Sequence, residues 1–368
     1  MKDRVWVEIS KENLENNINE IRKIMPTKAK MMAVVKANAY GHGIINISKM
    51  LNKLNVKNFA VATLDEAITL KKNKIRGNIL ILGYTDFSRI NEVIRYNLIQ
   101  TIVDEEYAEK IDKMELKDKL RCHVKINTGM NRIGEGFCNI DELEKIYKMK
   151  NLSPEGIFSH LCVSDSMKED DIKFTKAQID KFFYATRHLE ARGINVGKKH
   201  IQASYGIINY QDLKCDYVRP GIIMYGVHSG EIMNPINLKP VLKLKARIAS
   251  VKEIGEEEYV SYGRTYKATE KRKIATITIG YADGYPRSLS SKGAKVLING
   301  KYATIIGRIC MDQCIADVTD IENVKQGDEV TLIGEEKEIS AENVANLAGT
   351  IANELLCRLG PRIKIVEV

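Results

Sequence analysis

The sequence has 368 residues, 44% hydrophobic and 29% charged, with 25 glycines and 7 prolines. These are the proportions of a globular chain of one large domain or two, which excludes a collagen-like, proline-rich or largely disordered one. The net charge of +9 sits mainly in stretches where lysines alternate with acids, as in residues 109–121. No basic block interleaves with aromatics, so nucleic-acid binding is not expected and a mild pull on anionic substrates is.

From about residue 30 to 230 short apolar runs alternate with longer amphipathic ones. The runs cover 31–38, 58–63, 78–84, 99–104, 122–129, 155–161, 199–204 and 216–226. Between them lie helix-like stretches at 44–54, 64–74, 89–97, 105–115, 141–150 and 168–193. Apolar runs of four to eight residues separated by helices predict parallel βαβ units. Eight of them in succession predict a closed (β/α)8 TIM barrel over residues 1–235, with function at the C-terminal ends of the strands. After residue 235 the pattern changes. Residues 240–254, 273–284, 294–321 and 328–334 read as strands, with a hairpin turn at Asn299–Gly300. One helix is expected over 341–360, with Ser340 as its N-cap. Residues 236–368 therefore form a second, mostly β domain, and residues 1–10, which contain the strand-like VWVEI, are expected to pair with it.

Seven cysteines with no CxxC spacing point to mostly packed thiols in a reducing compartment. No HExxH or paired Cys/His spacing occurs, so no metal is expected. The N-terminus lacks a signal-peptide apolar core, and no run approaches the roughly 20 apolar residues of a membrane span. A soluble, cytoplasmic protein without a membrane partner is the expectation.

The strand ends carry the chemistry. Lys36 closes the first run. At a barrel mouth it is a partly desolvated amine suited to Schiff-base formation, or a lysine that merely snorkels, and position alone favours the second. The fifth run leads to Lys125 and Arg132, the sixth ends at His160, the seventh at Ser204, and the eighth holds Arg219, Gly221 and Ile222. Singly these read as a core histidine, a surface cation and a helix cap. Converging on one barrel mouth, they read as an anion-binding Schiff-base pocket, with backbone amides and a serine hydroxyl forming a phosphate site.

VVKANAYGHG, VKINTGMNRIG, FSHL, DYVRPGIIMYG, SYGRTY, IGYADGYPR and IIGRICMDQ together resemble the alanine racemase family of pyridoxal 5'-phosphate enzymes, in order and spacing, from about residue 5 to 360. The resemblance implies a (β/α)8 barrel followed by a β domain, and interconversion of L- and D-alanine. It implies that Lys36 holds the cofactor and acts as base on one face, with Tyr262 as base on the other. In this family the tyrosine comes from the second subunit, so a head-to-tail homodimer with composite sites is implied. Tyr40, Ser204, Gly221 and Ile222 would hold the phosphate. Arg219 would face the pyridine nitrogen where most such enzymes place a carboxylate, and with His160 would lower the tyrosine's pKa. Arg132 and the Met311 backbone would bind the substrate carboxylate. Lys125 matches a lysine often carbamylated in the family, which orients Arg132; Asn127 stands where an aspartate is common. Tyr281, Arg308 and Asp312 match the access corridor.

One departure concerns specificity. Pro361 stands where the family often has a tyrosine that reaches the phosphate and narrows the inner gate, and the tail PRIKIVEV differs from the usual RVPR ending. Here the chain resembles the catalytic half of the serine racemases of vancomycin-resistance systems. Alanine racemisation with appreciable serine activity is expected, with serine as main substrate the alternative. A non-catalytic pyridoxal-phosphate carrier would lack the second domain and Tyr262. A Schiff-base aldolase would place its lysine on a late strand, and decarboxylases of related fold usually keep an acidic residue at the pyridine nitrogen.

Overall fold

A computed structural model describes residues 3–233 and 235–368. The chain opens with β1 (Val5–Ile9) and then winds through parallel strands. These are β2 (Lys30–Val34), β3 (Asn58–Val61), β4 (Asn78–Ile81), β5 (Ile99–Ile102), β6 (Leu120–Asn127), the short β7 (Glu135–Gly136) beside it, β8 (Leu152–Phe158), β9 (Lys198–His200) and β10 (Tyr217–Val218). Their order is β10-β2-β3-β4-β5-β6-β8-β9, with β7 on β6. The two ends meet: Asp216 N donates to Lys199 O at 2.8 Å, Arg219 N to Gln202 O at 3.0 Å, and a parallel bridge joins Ala203 to Arg219. The sheet thus curls into the expected (β/α)8 barrel, nearly closed. Strands such as β3 and β5 are buried throughout, because helices cover the outer face while side chains fill the inner one.

Local chemistry starts the helices where the sequence provides caps. Ser10 caps Lys11–Ile24, Thr63 and Glu66 form a capping box on Leu64–Lys72, and Asp104 caps Glu105–Asp112. Glu169–Ala191 is the longest helix described, at 23 residues. No helix among the described residues is long and apolar enough to cross a membrane.

The second domain is β-rich. It contains β11 (Leu242–Ile254), β12 (Tyr259–Val260), β13 (Tyr266–Lys267), β14 (Arg272–Ile277), β15 (Lys295–Ile298), β16 (Lys301–Ile306), β17 (Cys314–Asp317), β18 (Glu329–Ile333) and β19 (Lys364–Glu367). The order β14-β17-β16-β15-β18-β11 closes on itself because β14 also pairs with β11. Strands β1 and β19 extend the sheet from β11. Asn299 and Gly300 both take positive φ (48° and 76°), the geometry of a two-residue type I′ hairpin between β15 and β16. The single helix expected over 341–360 is instead two, Ala341–Ala348 and Ala352–Cys357. Gly349 breaks it: at φ 76° it is a left-handed C-cap whose N–H returns to Ala345 and Asn346 carbonyls.

The two domains are joined by buried polar contacts as well as apolar ones. Asn17, fully buried on the first helix, donates to Met224 O and Lys239 O and accepts from Lys239 N. The helix Ala352–Cys357 lies against Gly41, where a side chain would collide with Leu356 O.

Candidate active site

The site begins with an unusual turn. Directly after Lys36, Ala37, Asn38, Ala39 and Tyr40 all take φ between 52° and 55°, four consecutive left-handed residues without a glycine. Each such residue costs about 1–2 kcal/mol relative to a right-handed one, so the turn exists only because its surroundings hold it. The Glu66 carboxylate accepts from Ala37 N at 2.6 Å and Ala62 N at 2.8 Å. The Asn38 amide oxygen accepts from Ile44 N at 2.9 Å. Through this turn Lys36 and Tyr40, four residues apart, both reach one cavity.

That cavity, of about 360 Å3, opens at the C-terminal mouth of the barrel. Lys36, Tyr40, Lys125, Arg132, His160, Ser204, Arg219 and Gly221 all line it. Ile222 is buried just behind, opening a short 3-10 turn, and the Ser204 hydroxyl accepts from Gly221 N at 3.0 Å. A side chain at Gly221 would put its Cβ 2.7 Å from Tyr40 Oη, so only glycine leaves this backbone edge open. The lining holds four cationic side chains, Lys36, Lys125, Arg132 and Arg219, and no carboxylate. Such a concavity is built for an anionic ligand.

Burial and mutual repulsion reset these groups. Burial, then the Arg132 charge, pull the Lys36 ammonium below its ordinary pKa, which favours the free amine. Lys125, only 4% exposed, is pulled down to about 7 by burial and by Arg219 and Arg132; its Nζ donates to Ile126 O at 2.6 Å. His160, half-buried rather than a core histidine, is driven to about 3 by burial and by the surrounding cations, Arg219 foremost. Arg219 is 3% exposed, not a surface cation. Burial lowers it to about 10, leaving it charged at neutral pH.

Two residues that the motifs do not single out hold Arg219. Its Nη1 donates to His200 Nδ1 at 2.6 Å, and His200 Nε2 lies 2.8 Å from His123 Nδ1. Its Nη2 donates to Ser159 O at 2.7 Å and Ile201 O at 3.2 Å, with His160 Nδ1 at 3.5 Å. A guanidinium only donates, so His200 must accept at Nδ1 and donate from Nε2, and His123 in turn accepts at Nδ1. Both rings are buried and held neutral: His123 falls to about 3 and His200 well below its ordinary value, chiefly by burial. Phe158 stacks on His200, ring planes 2° apart at 4.8 Å. The available signal was the two-residue period of 122–127, which puts His123 on the same inward face as Lys125.

The remaining sequence-selected residues lie elsewhere on the chain. Tyr262 is 70% exposed on the β domain. With Met311, 53% exposed, and Asp312 it lines a separate surface concavity. Tyr281 is exposed beside them, its N–H on Cys310 O. The Arg308 guanidinium lies so close to Gly263 that a Cβ there would stand 2.8 Å from it. Asp312 accepts from Arg362 at 2.7 Å, and Pro361 next to it is exposed. Within one chain, then, the barrel-mouth residues converge and the β-domain residues form a second cluster.

Comparison with known proteins accounts for both halves. A family profile described as alanine racemase, N-terminal domain, matches residues 9–229, and one described as alanine racemase, C-terminal domain, matches 241–367. An alanine racemase of Clostridium tetani is 41% identical across 99% of this chain and 95% of its own length. An amino-acid racemase of Enterococcus faecalis is 41% identical over 98% of this chain, which covers 51% of that longer protein. The solved alanine racemase of Clostridium difficile 630 superposes with a TM-score of 0.95 at 35% identity, covering 100% of this chain and 96% of that one. These matches span both domains, and a single-barrel cofactor carrier would lack the second. The chain belongs to the alanine racemase family and is a pyridoxal-phosphate-dependent amino-acid racemase.

Proposed function

We propose that the protein interconverts L- and D-alanine, with appreciable activity on serine, by passing the α proton between Lys36 on one face and Tyr262 of the partner subunit on the other. The observation that carries this reading is the Lys36 amine, held below its ordinary pKa, in a cavity of four cations and no carboxylate.

The cavity fits pyridoxal phosphate. Lys36 would hold the carbonyl carbon. The Tyr40 and Ser204 hydroxyls and the Gly221 and Ile222 amides would hold the phosphate, and Gly221 is open there because a Cβ would fill the space against Tyr40 Oη. Arg219 would meet the ring nitrogen. When bound, the cofactor acidifies the substrate's α carbon by drawing its electrons into a conjugated ring. Arg219 can only donate a hydrogen bond, and with its pKa lowered by burial only to about 10 it keeps its proton at neutral pH. It would therefore leave the ring nitrogen unprotonated and weaken the electron sink, which would restrain side reactions.

Racemisation needs one group to take a proton and a second to return it from the opposite side. Tyr262 does not line its own chain's cavity, which supports its donation to the cavity of a second copy and hence a homodimer with composite sites. There the neutral His160 ring, accepting from Arg219 at Nδ1, presents its Nε2–H to stabilise the tyrosinate. Arg132 and the amide of the partner subunit's Met311 bind the substrate carboxylate. Tyr281, Arg308 and Asp312 form the corridor by which substrate enters. Exposed Pro361 offers neither a hydroxyl nor an aromatic ring to the gate, which supports room for the serine hydroxyl. The seven free thiols support a cytoplasmic location.

Chiral chromatography of the purified holoenzyme with L-alanine and L-serine, with Lys36→Ala as control, tests this. D-alanine formation that the variant lacks is expected. A serine rate below roughly one hundredth of the alanine rate would overturn the wide-pocket reading. Serine turnover above alanine would make serine the main substrate, and no turnover of either would remove the racemase assignment.

A further inference from the structure

The helix Glu169–Ala191 shows the barrel an apolar stripe that includes Ile179, Phe182 and Leu189, yet one member is an amide, Gln178, 1% exposed. A buried primary amide is tolerated when its two N–H groups and its oxygen all find partners. Here they do, and the partners belong to the loops that carry the site. Gln178 Nε2 donates to Thr128 Oγ1 at 3.3 Å and to His160 O at 3.1 Å. Its Oε1 accepts from Cys162 N at 3.1 Å and from the Cys162 thiol at 3.4 Å.

The hydroxyls beyond it can be oriented without seeing a hydrogen. Ser159 Oγ donates its one proton to Ile126 O at 2.8 Å, so it must accept from Thr128 Oγ1, also at 2.8 Å. The chain therefore runs one way, from the Gln178 amide to the Thr128 hydroxyl, to the Ser159 hydroxyl, to the Ile126 carbonyl. Its ends touch the site on several sides. Ile126 O also receives Lys125 Nζ, and Ser159 O receives Arg219 Nη2. Thr128 opens the loop that ends at Arg132. That loop is closed at its other side by Asn127, whose Oδ1 accepts from Gly129 N and Asn131 N, both at 3.1 Å. Gly129, at φ 134°, rests against Phe174 of the same helix.

We infer that Gln178, acting through Thr128, is a positioning residue that fixes the Arg132 loop and the His160 backbone relative to Lys36, and so sets the enzyme's grip on the substrate carboxylate. This rests on the racemase reading for its catalytic arm only. Neither residue touches cofactor or substrate, so the effect belongs in KM rather than in cofactor binding.

The test uses the holoenzyme and Thr128→Val, Thr128→Ser and Gln178→Leu. Valine keeps the shape of threonine and removes the hydroxyl, whereas serine keeps the hydroxyl. Thr128→Val should raise KM for L-alanine about tenfold with kcat within about threefold and cofactor affinity unchanged, and Thr128→Ser should restore KM. Amide hydrogen exchange over residues 127–134 should be faster in Thr128→Val and Gln178→Leu and normal in Thr128→Ser. Unchanged exchange in a folded Thr128→Val protein would overturn the inference whatever the kinetics. Unchanged KM in an active Thr128→Val enzyme would overturn it as well. A wild-type enzyme without turnover would instead overturn the proposed function, and the exchange experiment would still decide this inference.

Discussion

Lys125 is a lysine that the barrel holds near neutrality. Its ordinary pKa lies near 10.4, and burial with Arg219 and Arg132 nearby brings it to about 7. In the unfolded chain it keeps its proton to far higher pH. Between about pH 7 and 10 the unfolded state therefore binds more protons, and this residue's contribution makes stability rise with pH across that window. Below about pH 7 both states are protonated, and the folded protein bears the full cost of a buried ammonium among cations. Reaction with carbon dioxide would remove that cost: the ammonium gives up one proton, the resulting free amine bonds to the carbon and gives up a second, and a buried cation would become a carbamate anion near Arg132. Carbon-13 NMR in labelled bicarbonate at about pH 8 should show a carbamate signal that Lys125→Ala lacks, fading as pH falls below about 7. A spectrum identical in the two proteins would mean that Lys125 stays a free amine and that Asn127, a loop-closing residue here, needs no charged neighbour. His123 and His200 teach a related lesson. Neither belongs to a recognisable motif, because their work is indirect: His200 faces Arg219 with a neutral acceptor where a carboxylate would neutralise it, and His123 holds His200 in that tautomer.

Among the elements, the barrel strands and most of the helices between them are legible because continuous apolar runs and 3.6-residue stripes are properties of local sequence; the helices Lys11–Ile24 and Ser204–Asn209 are not among those expected. The left-handed turn at Ala37–Tyr40 is not legible either. Alanine and asparagine carry no propensity for four such residues in a row; the conformation is held by hydrogen bonds to Glu66, which also completes a helix capping box, and from Ile44 N to Asn38. Strand β19 was missed for a similar reason, being a short, half-exposed end whose pairing with β1 joins opposite termini. The single helix expected over 341–360 divides in two because Gly349, which lies within one apolar stripe, takes the left-handed C-cap conformation. The turn also makes a prediction. Gly221→Ala drives a methyl into Tyr40 Oη at 2.7 Å, so cofactor affinity should fall at least about tenfold while the fold persists. Adding Tyr40→Phe removes the colliding oxygen. In the double variant the loss should be smaller than the sum of the single losses, the coupling expected of residues in contact. Strict additivity in a fluorescence titration of apoenzyme with cofactor would mean that Gly221 and Tyr40 do not share the phosphate cradle.

At the scale of the whole molecule, the separation of Lys36 from Tyr262 is itself informative. Sequence motifs named both residues but could not show that one chain places them in different concavities, because that depends on how the β domain sits on the barrel. If the catalytic unit is a homodimer with exchanged tyrosines, each cavity draws Lys36 from one chain and Tyr262 from the other. Lys36→Ala and Tyr262→Phe should each be nearly inactive alone. When the two are unfolded together in equal amounts and refolded, half of the dimers should be mixed. In a mixed dimer one cavity holds both substitutions and the other holds neither. The mixture should therefore regain about a quarter of wild-type activity, one intact cavity in half of the dimers. A monomeric enzyme, or a dimer in which each chain completes its own cavity, has no such route. It would leave the mixture as inactive as its components, which would exclude composite sites even if racemase activity itself were secure.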